Sequence, residues 1–165
     1  MLAIRRAQTR YAARPRWSRA IACLHVLPYA LPLIGRVRRH LRQTANRPKT
    51  SLPDFLGRLA RSNGKATWWG FGPPLHPMAC LTVTHRLVTR RQAHRCLPRA
   101  LVLFGLLQRT NCPSVCFCLG VQGDAQQDRP FAHAWIEVDG QPFGEACNPH
   151  TTHRVLYRYS LPDPV

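Results

Sequence analysis

An α+β fold, helices first and an antiparallel sheet after them, is predicted by three features of the 165-residue sequence. Leu97, Leu101, Phe104 and Leu107 recur at helical spacing. Pro98 suits the first turn of that helix, where its missing N–H would have no partner in any case. Ser114–Val121 and Phe131–Val138 are apolar, aromatic and β-branched runs of strand length, and Asp139-Gly140 after the second is a strong signal for a two-residue hairpin turn. Helical pattern followed by strand pattern is the arrangement of an α+β domain.

Taken in order, residues 1–61 carry fourteen basic residues against one acid, Asp54, so most of the chain's net charge of +17 sits there. The apolar run Ala20–Gly35 inside this segment is sixteen residues long and is interrupted by His25, Pro28 and Pro32. It falls short of the roughly 20 residues of a membrane span. It reads as helices packed on the domain or on a partner, with peripheral membrane contact through a basic amphipathic surface as the second reading and a true span as the third. No small-x-small cleavage site follows cleanly, and Arg5-Arg6 lacks the flanks of a twin-arginine signal. The chain divides into a basic, Leu/Arg-rich helical segment at 1–50 and a domain at 51–165. Gln43–Pro53, polar with two prolines, reads as a linker, and Pro53–Ala60 as one or two helical turns.

Ser62–Pro77 is rich in Gly and Pro, with Trp68, Trp69 and Phe71 in a loop that reads first as a cover for the core edge and second as a lid or groove wall. Met78–Arg91 reads as a second helix whose basic end suits the negative C-terminus of the helix dipole. The Cys96–Gln108 helix comes next, then a turn at Thr110–Pro113 and the first strand. Asp124–Pro130 is a polar loop before the second strand. A short strand to Glu145 follows the hairpin turn, Asn148-Pro149-His150 breaks it, and His153–Tyr159 closes an antiparallel meander.

Chemistry enters at the ends of these elements. Cys96 stands at a helix N-terminus, where free N–H groups and the positive end of the dipole favour a thiolate, which makes it a candidate nucleophile. His133 projects from a strand and shares a face with Trp135 and Glu137, which makes it a candidate base. A Cys-His pair assembled from distant parts of a chain calls for a third group to orient the imidazole. Glu145, Glu137 and Asp139 are the acids near the strand, and Asp139 is accounted for by the turn itself. With a two-residue Asp139-Gly140 loop Glu145 pairs with Ala134, on the face opposite His133; one more loop residue would bring it to the His133 face.

Cys96-Leu97-x-Arg99-Ala100-Leu101 followed by His133-Ala134-Trp135-x-Glu137-x-Asp139-Gly140 resembles the leader peptidases of lasso-peptide biosynthesis, the microcin-processing transglutaminase-like cysteine proteases. The similarity runs from about Leu75 to Glu145, and Arg- and Leu-rich N-terminal helices are usual in that family. The resemblance implies a transglutaminase-like (papain-like) fold, Cys96 as nucleophile and His133 as general base. The family's third member is an Asp twelve residues after the His, and Glu145 stands there in this chain. The implied activity is removal of the leader from a ribosomally made precursor peptide. The implied partners are a separate leader-recognition protein and an asparagine-synthetase-like cyclase. An acyltransferase or a non-catalytic peptide-binding protein of the same fold are the alternatives.

Other classes are weakened by composition and spacing. Cys112, Cys116, Cys118, His133 and Cys147 contain no Cys-x-x-Cys pair, so no metal is expected. His76, His85 and His94 read as surface or satisfied histidines. No phosphate loop is visible and no cofactor is expected, although the ATP dependence attributed to fused relatives is left open. The basic residues are interrupted by an apolar run and sit on no nucleic-acid scaffold, so no specific nucleic-acid partner is expected. Seven cysteines, an odd count without an export signal, read as a reduced, cytoplasmic chain.

Overall fold

The computed structural model describes residues 16–46, 51–65, 75–89, 96–110, 112, 114–122 and 131–160. The Trp68–Phe71 stretch, the Asp124–Pro130 loop and His94 lie outside these residues.

The first helix, α1 (Arg16–Asn46), is a single element of 31 residues that runs through Pro28 and Pro32 and past Gln43. This corrects the interrupted helices and the early linker expected from the sequence. Both prolines lie on the exposed face, so the carbonyls that lose a donor, one turn back, lie on that outer face as well. The inner face, Val26, Ala30, Leu33, Ile34 and Val37, is buried in the core. That burial outweighs the roughly 3 kcal/mol cost of each interior proline.

Ser51 opens α2 (Leu52–Lys65), which is longer than the one or two turns expected. Its Oγ accepts the Asp54 N–H at 3.3 Å, a side-chain cap of the first turn, and donates to Asp54 Oδ2 at 2.6 Å. Phe55, Leu56, Leu59 and Ala60 are the buried face. The His40 ring stacks on Phe55 with centroids 3.7 Å apart, and the Arg109 guanidinium lies 4.4 Å from the Tyr29 ring centroid. These contacts fix α1 to α2 and to the segment after α4.

The next helix, α3 (Pro77–Thr84), passes into a π-turn at His85–Thr89, and α4 (Cys96–Leu107) is buried at every residue from Ala100 to Leu107. The helices α1, α2 and α3 pack against α4, which itself packs on the sheet. The basic N-terminal helix thus shares one core with the domain that follows.

Four antiparallel strands, β1 (Val115–Gln122), β2 (Phe131–Val138), β3 (Gln141–Phe143) and β4 (Arg154–Ser160), lie in the order β3-β2-β1-β4. The expected meander is therefore corrected: the last strand returns beside β1, the Greek-key order. Tyr159 and Tyr157 pair with Phe117 and Leu119 there, and Tyr159 meets Phe104 of α4 edge-on at 5.9 Å. Packing on the central helix draws β4 to the open edge of β1. The crossing from Gly144 to His153 meets Arg99, His133 and Trp135, and it carries the groups considered next.

Candidate active site

Strand alternation sends Ala134 and Ile136 toward α4 and turns His133, Trp135 and Glu137 to the opposite face. Cys96 is partly exposed at the first residue of α4, with Sγ 3.9 Å from the Ala132 carbonyl oxygen. Interaction with the His133 imidazole is the main reason the thiol's pKa falls below its ordinary value. Burial opposes the shift, while the backbone N–H groups of Ala134 and Leu97 assist it. The leading cause is thus the imidazole, ahead of the helix terminus that the sequence singled out.

His133 is the complementary half. Its pKa is raised to about 9, first by the hydrogen bond to Cys96 and then by the hydrogen bond to Glu145, against the cost of burial. His133 Nε2 lies 3.1 Å from Glu145 Oε2, which leaves Nδ1 as the ring nitrogen for the thiol. The two shifts act in the same sense, toward a thiolate beside an imidazolium.

The path of Glu145 to the ring resolves the register question. Ile136 pairs with Phe143 and Val138 with Gln141 around a two-residue turn, with Asp139 and Gly140 at φ 53° and 72°. On a continued strand this register would put Glu145 beside Ala134. The strand instead stops at Phe143, and Gly144 at φ 76° turns the chain toward His133. A Cβ at Gly144 would be strained by that φ and would run into the Leu81 side chain.

Arg99, one turn after Cys96 on α4, pairs through Nη2 with Glu145 Oε1. Each carboxylate oxygen thereby holds a different element. The Arg stands in the sequence motif, and only the fold displays what it touches.

Trp135 stacks beneath His133 with ring centroids 5.9 Å apart and planes 16° apart. Gly120, opposite His133 on β1, makes room for it: a Cβ there would lie 2.9 Å from the indole and 2.8 Å from the Arg154 carbonyl oxygen. The Trp135 indole N–H donates to Glu137 Oε1 at 3.0 Å. His150 Nε2 lies 2.7 Å from the same oxygen, and Arg158 donates to it at 3.3 Å. Glu137, only 1% exposed, is thus engaged with Trp135, His150 and Arg158, and Asp139 is an exposed turn residue. His153 lies 5.3 Å from the His133 ring, its pKa lowered by burial and by the charge on His133. His150, His153 and the seat at Gly120 had no sequence signal, because they depend on where the Gly144–His153 crossing lies.

Among the described residues Cys116, Cys118 and Glu137 place metal-type donor atoms within 4.8 Å of one another. The two sulfurs are 3.8 Å apart on one strand face, and the Arg158 guanidinium at Glu137 opposes a cation. His85 is exposed, and His76 occupies the cap position of α3.

Searches of curated proteins and of solved structures give no match. Residues 55–158, more than half of the chain, match the family described as the Transglutaminase-like superfamily, whose members include cysteine proteases and acyltransferases. That span runs from the buried Phe55 of α2 to Arg158 of β4 and contains Cys96, His133 and Glu145. The chain belongs to the transglutaminase-like superfamily.

Proposed function

We propose that the protein is a cysteine peptidase that removes the leader from a ribosomally made lasso-peptide precursor, with Cys96 as nucleophile, His133 as acid and base, and Glu145 orienting the imidazole. The observation that carries the reading is Cys96 at the start of α4 beside a His133 imidazole held by Glu145, with the thiol's pKa lowered and the imidazole's raised by each other's presence. The motif resemblance from Leu75 to Glu145 supplies the substrate class.

In the proposed reaction the Cys96 thiolate adds to the scissile carbonyl carbon and forms a C–S bond. The Cys96 backbone N–H, in the helix turn whose donors have no intrahelical acceptor, faces the developing oxyanion. As the C–N bond breaks, the imidazolium gives its proton to the leaving amine. The neutral imidazole then takes a proton from water as water attacks the thioester. Hydrolysis returns the thiolate and restores the imidazolium. Glu145 holds Nε2–H throughout and keeps Nδ1 toward sulfur.

Leader recognition is assigned to a separate protein, the partner that the motif resemblance implies. Ring closure is assigned to an asparagine-synthetase-like cyclase acting on the released core peptide. The proposed compartment is the cytoplasm, where a catalytic thiol stays reduced.

The test is mass spectrometry of precursor incubated with this protein and the recognition protein. The reading expects cleavage at the leader–core junction by the native chain and none by Cys96→Ala. Leader loss undiminished in Cys96→Ala would overturn it. A product carrying an added amine instead of water would assign acyl transfer to the same residues.

A further inference from the structure

The outer face of α1 is chemically unusual for a surface helix. Ile21, Leu24 and Leu31 are 56%, 64% and 58% exposed, and Pro28, Pro32 and Gly35 on the same side are exposed as well. At 1.5 Å per residue this apolar stripe is about 21 Å long. The opposite face is packed in the core, so over these turns the helix is apolar on both sides apart from the exposed His25 at the edge of the stripe, a pattern that calls for cover on both.

The stripe then changes character. Arg38, Arg39 and Arg42 continue along the same side of the helix, all exposed, while Arg16 and Arg19 precede the apolar turns in sequence. No acidic residue occurs from Arg16 to Asn46. An apolar band that runs on into the exposed guanidinium groups of Arg38, Arg39 and Arg42 matches a lipid interface, where acyl chains take the band and phosphates take the charges.

We infer that this face of α1 docks in the plane of an anionic phospholipid leaflet, with Ile21, Leu24 and Leu31 at the acyl boundary and the arginines at the phosphates. By length and composition Ala20–Thr44 also passes as a span. Val26, Ala30, Leu33 and Val37, buried between α1 and the rest of the protein, argue for lying on the membrane, since crossing it would strip the core of one wall. The domain then sits on the leaflet through α1, with Cys96 at the start of a different helix.

The test uses the full chain with vesicles of phosphatidylcholine alone and of phosphatidylcholine mixed with phosphatidylglycerol, read by co-sedimentation. It needs no substrate and is independent of the proteolytic reading. Binding is expected to the mixed vesicles only and to fall as salt rises. The double variant Leu24→Glu, Leu31→Glu should bind at least about tenfold more weakly. Each Arg→Gln change at Arg38, Arg39 or Arg42 should cost roughly fivefold. These side chains face outward, so circular dichroism should show the native fold in every variant. Absence of binding, or equal binding by the double glutamate variant, would overturn the inference, the latter showing attraction by charge alone. Loss of recognition-protein binding in that variant, with no vesicle signal from the native chain, would overturn it in favour of a protein-docking face.

Discussion

Arg99 and Glu145 form an ion pair that joins the helix bearing Cys96 to the crossing that follows β3. The same carboxylate meets His133 through its other oxygen, so the relative placement of thiol and imidazole is set through one side chain. The pair also gives the Glu a physical reason: its reach spans two elements.

Shortening that reach is therefore costly. Glu145→Asp withdraws the carboxylate by about 1.5 Å, so it can satisfy Arg99 or His133 but not both, and steady-state kinetics should show a lower kcat. Arg99→Ala should lower kcat by up to on the order of a hundredfold through misplacement alone. Activity in Glu145→Asp equal to the native chain would show that the bridge is not needed.

Two glutamates near the site should separate by readout. Glu145→Gln should cut turnover by orders of magnitude with little effect on Tm, since the amide can hold the wrong imidazole tautomer. Glu137→Gln should act mainly on stability, costing about 1–3 kcal/mol, because the buried carboxylate accepts from Trp135 and Arg158 and meets His150. Thermal melts beside kcat for both variants check the assignment. A reversed pattern would move the orienting role to Glu137.

The pH dependence follows from the opposed shifts. kcat/KM should rise as Cys96 loses its proton below the ordinary thiol range and should fall as His133 loses its proton near pH 9. His133 binds its proton more tightly in the folded state than its usual value of 6.5 allows. Its contribution to stability is thus fully present below pH 6.5 and is lost as pH rises through about 9. Glu145→Gln should move the alkaline limb down, since Glu145 is one of the groups raising His133.

Gly120→Ala probes the support beneath the imidazole. A methyl there lies 2.9 Å from the Trp135 indole and 2.8 Å from backbone at Arg154. Overpacking of this kind costs about 1–3 kcal/mol, and a displaced indole no longer stacks under His133. Lower Tm together with lower kcat is expected, and an unchanged melt would show that the sheet accommodates the methyl.

Legibility in the sequence tracked how local each determinant was. The Cys96 helix, the His133 strand and the Asp139-Gly140 turn rest on periodicity and turn chemistry, and the structure has all three. The expected linker misled at its two ends, because polar residues and prolines look alike there, whereas α1 runs to Asn46 and Ser51 caps the helix that begins at Leu52. The position of β4 was not legible, since it depends on Tyr157 and Tyr159 finding Leu119, Phe117 and Phe104. Glu145 was judged by strand register, which Gly144 ends one residue earlier. Arg99 and Trp135 stood in the motif without roles, because their partners come from other elements.

The most direct measurement is the alkylation rate of Cys96 by iodoacetamide as a function of pH, in the native chain and in His133→Ala. Peptide mapping is needed to separate Cys96 from Cys116, whose thiol is also lowered, to about 7. The native Cys96 should titrate below the ordinary thiol range, and the His133→Ala midpoint should move upward. A Cys96 that titrates as an ordinary thiol in both proteins would contradict the Cys96–His133 ion pair on which the proposed catalysis stands.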